Sequence, residues 1–179
     1  MKICATILVV LIGLVASGSL SVAEEEHPTY EGSPTFQQMK QLAGNWEGTV
    51  DMGKGPEKIK ASFRVTSAGS TLVETIFEGT PNEMVTIYHD DKNRKLSLIH
   101  YCGLNNRPKM VLIDSSENTL EFDLAGNAPI DSHEPHMHAL TFTFAGRDRM
   151  EQHWTQFAEG KKLKVVMISY KRVLPGKNL

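Results

Sequence analysis

Sulfur cross-links are the first thing this sequence cannot supply, because its two cysteines are Cys4 and Cys102 and Cys4 lies in an N-terminal apolar run. Once that run is set apart, one thiol remains, so no internal disulfide can form and the fold must be held by its core. An excess of charge of one sign is also missing. The chain carries 19 Lys and Arg against 21 Asp and Glu, a formal charge of -2, and its basic residues are scattered rather than striped. Nothing offers the electrostatic footprint that a nucleic-acid backbone requires. No glycine-rich phosphate loop follows a strand and opens a helix, no serine sits in a nucleophile elbow, and no dinucleotide fingerprint is present. These absences remove most common enzyme classes.

What is present begins with an export signature. Met1-Lys2 gives a short positive start, Ile3 to Ala16 is uncharged and apolar, and Ser21-Val22-Ala23 forms a small-x-small cleavage pattern before Glu24-Glu25-Glu26. Residues 1–23 therefore read as a cleaved secretory signal. A membrane anchor would need about 20 apolar residues, and here the uncharged stretch is interrupted by Gly13, Gly18 and several serines. The expected location is secreted or periplasmic, with no membrane span after cleavage. Residues 24–33, acidic and then punctuated by Pro and Gly, read as a flexible leader. Residues 34–179 read as one domain, long enough to bury a sizeable core.

Within that domain, Phe36, Met39 and Leu42 recur at helical spacing behind Ser33-Pro34 and predict one short helix over Pro34 to Ala43. From Trp46 onward short apolar-polar alternations are separated by turn residues. Strands are predicted at Trp46 to Met52, Lys58 to Thr66, Thr71 to Phe77, Glu83 to His89, Lys95 to Cys102, Pro108 to Ile113, Thr119 to Leu124, His136 to Phe144, Arg149 to Phe157 and Lys162 to Val173. Tight links make sequence neighbours antiparallel neighbours in space. A meander of this kind keeps two exposed edges unless it closes. The predicted fold is therefore all-β: a single antiparallel up-and-down barrel of about ten strands with a short N-terminal helix, able to enclose a small-molecule cavity.

The stretch with the most chemistry is His136-Met-His-Ala-Leu-Thr-Phe-Thr-Phe144. Strict alternation puts His136, His138, Leu140, Phe142 and Phe144 on one face. His100 alternates with Leu96, Leu98 and Cys102 and is expected to face inward as well. Three imidazoles with an open position form a recognised zinc arrangement, so His100, His136 and His138 are candidate ligands for a transition metal such as zinc. Haem ligation by one of them is a lesser variant. The bland alternative is that the same imidazoles hydrogen-bond one another, Tyr88 or water in a polar cavity. His27 and His133 read as solvated.

Glu74, flanked by apolar residues and sharing parity with Leu72 and Ile76, is expected inside and in a structural ion pair in preference to a catalytic role. Glu83 opens a strand. Cys102 beside His100 lacks the helix terminus or oxyanion donors of a thiol nucleophile and reads as a small hydrophobe. Met84, Thr86 and Tyr88 share one parity and make a mixed polar and apolar wall.

Leu42-Ala-Gly-Asn-Trp46 runs a helix into Gly-x-Trp at the first strand. This resembles the opening of lipocalins and their calycin relatives, where the Trp closes one barrel end and a basic residue of the last strand packs across it; Lys171 or Arg172 stands at that position. Gly79-Thr-Pro-Asn-Glu-Met-Val-Thr-Ile-Tyr-His89, Leu98-Ile-His-Tyr-Cys102, Asn106-Arg-Pro-Lys-Met110, His136-Met-His138 and His153-Trp-Thr155 together resemble a family of exported bacterial proteins, a domain of unknown function with a calycin-like barrel. Where that family carries a histidine before the Glu-Met pair, this chain has Asn82. The resemblance implies a fold and no established chemistry.

Two functions follow. One is a secreted or periplasmic barrel binding a small, partly apolar molecule in its interior, with Tyr88, His100, His136, His138 and Trp154 in contact with it. The alternative is a metal-dependent hydrolase or isomerase on the same three histidines. The sequence leaves the question of catalysis open.

Overall fold

The computed structural model describes residues 28–53 and 55–174; the expected signal segment, 1–23, lies outside them. A helix, α1 (Pro34–Lys40), precedes ten strands: β1 (Gly44–Asp51), β2 (Pro56–Thr66), β3 (Thr71–Ile76), β4 (Met84–Asp90), β5 (Leu96–Tyr101), β6 (Lys109–Ser115), β7 (Thr119–Leu124), β8 (His136–Phe144), β9 (Arg149–Ala158) and β10 (Lys161–Arg172). Each strand pairs antiparallel with its sequence neighbour, and β1 pairs with β10 to close the barrel. Closure satisfies the edge hydrogen bonds that an open meander would leave unpaired.

The alternation predicted from sequence becomes the inside and outside of this wall. Leu72 and Ile76 on β3, Leu96 and Leu98 on β5, Leu120 and Phe122 on β7, and Leu140 and Phe142 on β8 are all buried. Directly paired residues share a face, so the register carries this inner surface around the barrel. Gly48 on β1 stands opposite Tyr170, and a Cβ there would lie 2.7 Å from the Tyr170 ring. Glycine at this point gives the ring the space it occupies.

One end of the barrel is plugged. The Ser33 side chain accepts from the Phe36 backbone N–H at 3.1 Å, capping α1, and Pro34 starts the helix without wasting a donor. Seven residues are too few for a helix to persist alone in water. It is held by Phe36 and Met39, both fully buried in the barrel end. The Trp46 indole donates to Leu42 O at 2.8 Å, and the Arg172 guanidinium lies 4.3 Å above its ring. Arg172 also donates to Ala43 O and Gln41 O, each at 2.7 Å, and to Arg147 O. Of the two basic residues the resemblance offered, Arg172 makes this contact. Lys171, opposite Glu47, is on the outer face.

The last residues of the expected leader are hydrogen-bonded to the barrel. Tyr30 donates through its backbone N–H to Ala68 O at 2.7 Å and through its hydroxyl to Asp90 at 3.1 Å, while Ser33 donates to the same carboxylate. Lys40 Nζ donates to Tyr30 O and Glu31 O. Turn-rich composition marks where a chain is irregular, but these bonds fasten the irregular segment across the β2–β3 and β4–β5 turns.

Replacing Arg172 by Ala removes charge-assisted donors from three carbonyls and a cation–π contact. The expected destabilisation is about 2–4 kcal/mol, read as a lower urea midpoint with unchanged far-ultraviolet circular dichroism; Lys171→Ala is expected to stay within about 0.5 kcal/mol of wild type.

Candidate functional site

The end of the barrel opposite α1 is open. The turns after β1, β3 and β5 surround a cavity of about 420 Å³, whose wall includes Ile76, Phe77, Met84, His100, Cys102, Met137, Trp154, Gln156, Val166 and Ile168. A larger cleft of about 840 Å³ lies at the plugged end, among Gln38, Glu117, Arg147 and Arg172. It runs outside the barrel and touches none of the interior polar groups, so the open end is the better candidate.

A connected set of polar side chains stands against the inner wall beside this cavity. Glu74, Thr86 and His100 are cross-strand neighbours in one row over β3, β4 and β5. The Thr86 hydroxyl is 2.9 Å from His100 Nδ1. Glu74, with no exposure, accepts from the Tyr88 hydroxyl at 2.6 Å and from the Gln152 amide at 2.6 Å. Gln152 in turn accepts from the Trp154 indole at 3.0 Å, and the Trp154 and His100 rings meet with centroids 4.5 Å apart. The contacts run as a chain from Thr86 through His100, Trp154 and Gln152 to Glu74, with Tyr88 bonded to Glu74 from the side and Thr86 opposite Glu74 in the register.

Burial sets the charge states. Loss of water pushes the Glu74 carboxyl up to about 7, against the pull of hydrogen bonds from Tyr88, Gln152 and Thr86. The same loss pushes His100 down to about 4, so its imidazole is neutral at ordinary pH. Its Nε2 has no hydrogen-bond partner among the described residues, and the residue lines the cavity. The expectation of an ion pair for Glu74 is corrected: neutral donors hold it. Gln152 and Thr86 carry as much of this network as the histidine does. Gln152 falls between Met150 and Trp154 at strand spacing, and that parity was the one sign in the sequence that it faces inward.

The three histidines do not converge. β8 contains an irregularity between Met137 and Ala139, an extra residue that reverses the parity of everything before it. Leu140 and Phe142 point inward as the alternation predicts, but Met137, opposite Gln156, takes the inner position while His136 stands opposite Phe157. His136 Nε2 lies 3.0 Å from His138 Nδ1, His136 Nδ1 donates to Glu134 O at 2.8 Å, and His138 stacks on Phe157 at 3.9 Å. His138 Nε2 lies 3.4 Å from Asp123 on the neighbouring β7. By register these rings fall on the face opposite the inner one, and neither lines the cavity that His100 borders, although His136 itself is buried. Among the described residues no group of three or more His, Cys, Asp or Glu is placed to hold a metal ion. The candidate zinc set of His100, His136 and His138 is therefore not assembled, and a haem would find one candidate axial nitrogen at the cavity, that of His100.

Of the five expected ligand contacts, His100 and Trp154 reach the cavity. Tyr88 is fully buried with its hydroxyl committed to Glu74. Cys102 lies on the cavity wall, its thiol pushed up by burial, which disfavours the thiolate a nucleophile needs. Glu83 ties the β3–β4 turn by accepting from Gly79 N at 2.8 Å. His133 is exposed, 3.1 Å from Asp131.

No protein-family model matches the chain, and no curated protein does. Solved structures share its fold. A protein of unknown function of the DUF3598 family from Nostoc punctiforme aligns with a TM-score of 0.51 and 11% identity over 82% of this chain and 51% of its own. Rv2717c from M. tuberculosis aligns with a TM-score of 0.50 and 13% identity over 79% of this chain and 99% of its own. This chain thus spans about half the length of the Nostoc protein. The class these observations define is a closed, ten-stranded antiparallel β-barrel able to enclose a ligand, a fold shared with a Nostoc protein of unknown function and with Rv2717c.

Opposed pKa shifts give a pH signature. Glu74, raised from its ordinary 4.5 to about 7, contributes stability that is present below pH 4.5 and lost as pH rises to 7. His100, lowered from 6.5 to about 4, contributes stability that is present above pH 6.5 and lost as pH falls to 4. Between these limits the two slopes, each about 1.4 kcal/mol per pH unit, cancel. Urea midpoints followed against pH are expected to fall with acid below pH 6.5 in Glu74→Gln, and to fall with base between pH 4.5 and 7 in His100→Gln.

Proposed function

We propose that this protein is an exported, calycin-like barrel that takes a small, partly apolar molecule into its open end, against His100 and Trp154. The observation that carries this reading is the make-up of the 420 Å³ cavity. Its wall is largely aliphatic, thioether and aromatic, and His100 brings to it a neutral imidazole with an uncommitted ring nitrogen. A few polar groups fixed in an apolar hollow are the usual composition of a small-molecule site. The opposite end is sealed by α1, Trp46 and Arg172, so the ligand enters and leaves by the open end.

The neutral fluorescent dye N-phenyl-1-naphthylamine tests this. Saturable binding of about one equivalent is expected, weakened at least about tenfold by Met84→Glu, which places a charge on the cavity wall. The His136→Ala, His138→Ala double variant is expected to bind as wild type does, because neither ring lines the cavity. Binding that is non-saturable, or unaffected by Met84→Glu, would count against the reading. Secretion or periplasmic export is part of the proposal, and N-terminal sequencing of exported protein is expected to begin at Glu24.

A further inference from the structure

We propose that Gln156 and Lys164 form an anion-binding pair at the mouth of the cavity, so that the ligand is an apolar molecule carrying one acidic group. The inference rests on the cavity being the binding site and names the class of molecule it takes.

Near the open end, β10 reverses the usual distribution of polarity. Its outer positions carry Leu163, Val165 and Met167, all exposed, whereas Lys164 shares the inner parity of the buried Val166, Ile168 and Tyr170. Lys164 stands directly opposite Gln156 on β9, one inner position nearer the β9–β10 turn than the Trp154–Val166 pair. Directly opposed side chains on one face have Cβ atoms about 4.5–5.5 Å apart, so the amide and the ammonium can serve one anionic group. Both residues border the cavity.

Neither is committed elsewhere. Lys164 forms no ion pair among the described residues. Gln156 is 7% exposed, and its amide has no hydrogen bond to any described residue. Gln152, two inner positions deeper on the same strand, differs in this respect: it donates to Glu74 and accepts from Trp154. A buried amide that the protein leaves unbonded must be met by water or by a ligand. Of the residues on the cavity wall, Lys164 is the one cation and Glu83 the one carboxylate, and Glu83 already accepts from Gly79 N. The wall therefore offers an anion one free charge and one free N–H donor side by side. The apolar body of such a ligand fits against Ile76, Met84, Val166 and Ile168, while its acidic group stays at the rim, where the exposed lysine keeps its charge in water.

Two fluorescent dyes with one skeleton test this: N-phenyl-1-naphthylamine, which is neutral, and 8-anilinonaphthalene-1-sulfonate, which adds a single sulfonate. Lys164→Gln is expected to weaken the sulfonate dye roughly three- to fivefold and to leave the neutral dye unchanged. Gln156→Leu is expected to weaken the sulfonate dye by at least about threefold without weakening the neutral one. Lys164→Arg is expected to keep the affinity for both. Lys162→Gln serves as the control, because Lys162 stands opposite Phe157, outside the cavity wall, and is expected to change neither. High salt is expected to weaken the sulfonate dye alone. A Lys164→Gln effect that is equal for the two dyes, or matched by Lys162→Gln, overturns the proposal and leaves the cavity reading standing. So does a wild type that binds the neutral dye and not the sulfonate. Failure of the wild type to bind either dye removes the cavity reading and this inference with it.

Discussion

Glu74 is sealed inside the barrel, and an unbalanced carboxylate in such a place would be costly enough to unfold a domain of this size. The interior answers with donors drawn from distant parts of the chain: Tyr88 from β4 and Gln152 from β9. Because Gln152 reaches Glu74 only when the barrel is closed, the carboxyl and the closure support each other. The network is fully engaged around Glu74, and this is the condition under which a buried polar cluster specifies one arrangement rather than loosening the core. The uncommitted ring nitrogen of this cluster is at its cavity edge, on His100.

The two barrel ends have opposite physical characters. At one, a helix too short to stand alone is fixed by its cap, by Phe36 and Met39, and by Arg172 collecting the carbonyls that α1 and its turn leave unpaired. At the other, the wall rises without a plug and its inner residues border a hollow. A rigid sealed base with an open, mostly apolar mouth allows a ligand to be held without the barrel having to open. The polar cluster lies along the wall of that hollow, where water is scarce and each polar contact weighs more.

The bulge in β8 separates the histidines into two groups with different prospects. His136 and His138 form a chain running from Glu134 O to Asp123, close to the loop that precedes β8. His100 alone turns its chemistry inward. A single extra residue decided this, since the side-chain period of a strand is two and any insertion exchanges the faces.

Residue pattern by itself determined the strand count, the antiparallel order, the short helix behind Ser33-Pro34 and the need for closure, because these follow from local alternation, turn chemistry and the cost of unpaired edges. It also put Leu72, Glu74 and Ile76 on one face and His100 with Leu96 and Leu98 on another, which the barrel keeps. Only the tertiary structure decided that these faces meet, that Glu74 is held by Tyr88 and Gln152 rather than by a cation, and that Met137 replaces the two histidines at the inner wall. Partners separated by 78 residues, as Gln152 and Glu74 are, are matched by barrel closure and register. An irregularity such as the one between Met137 and Ala139 depends on how β8 meets β7 and β9, which no alternation within β8 records.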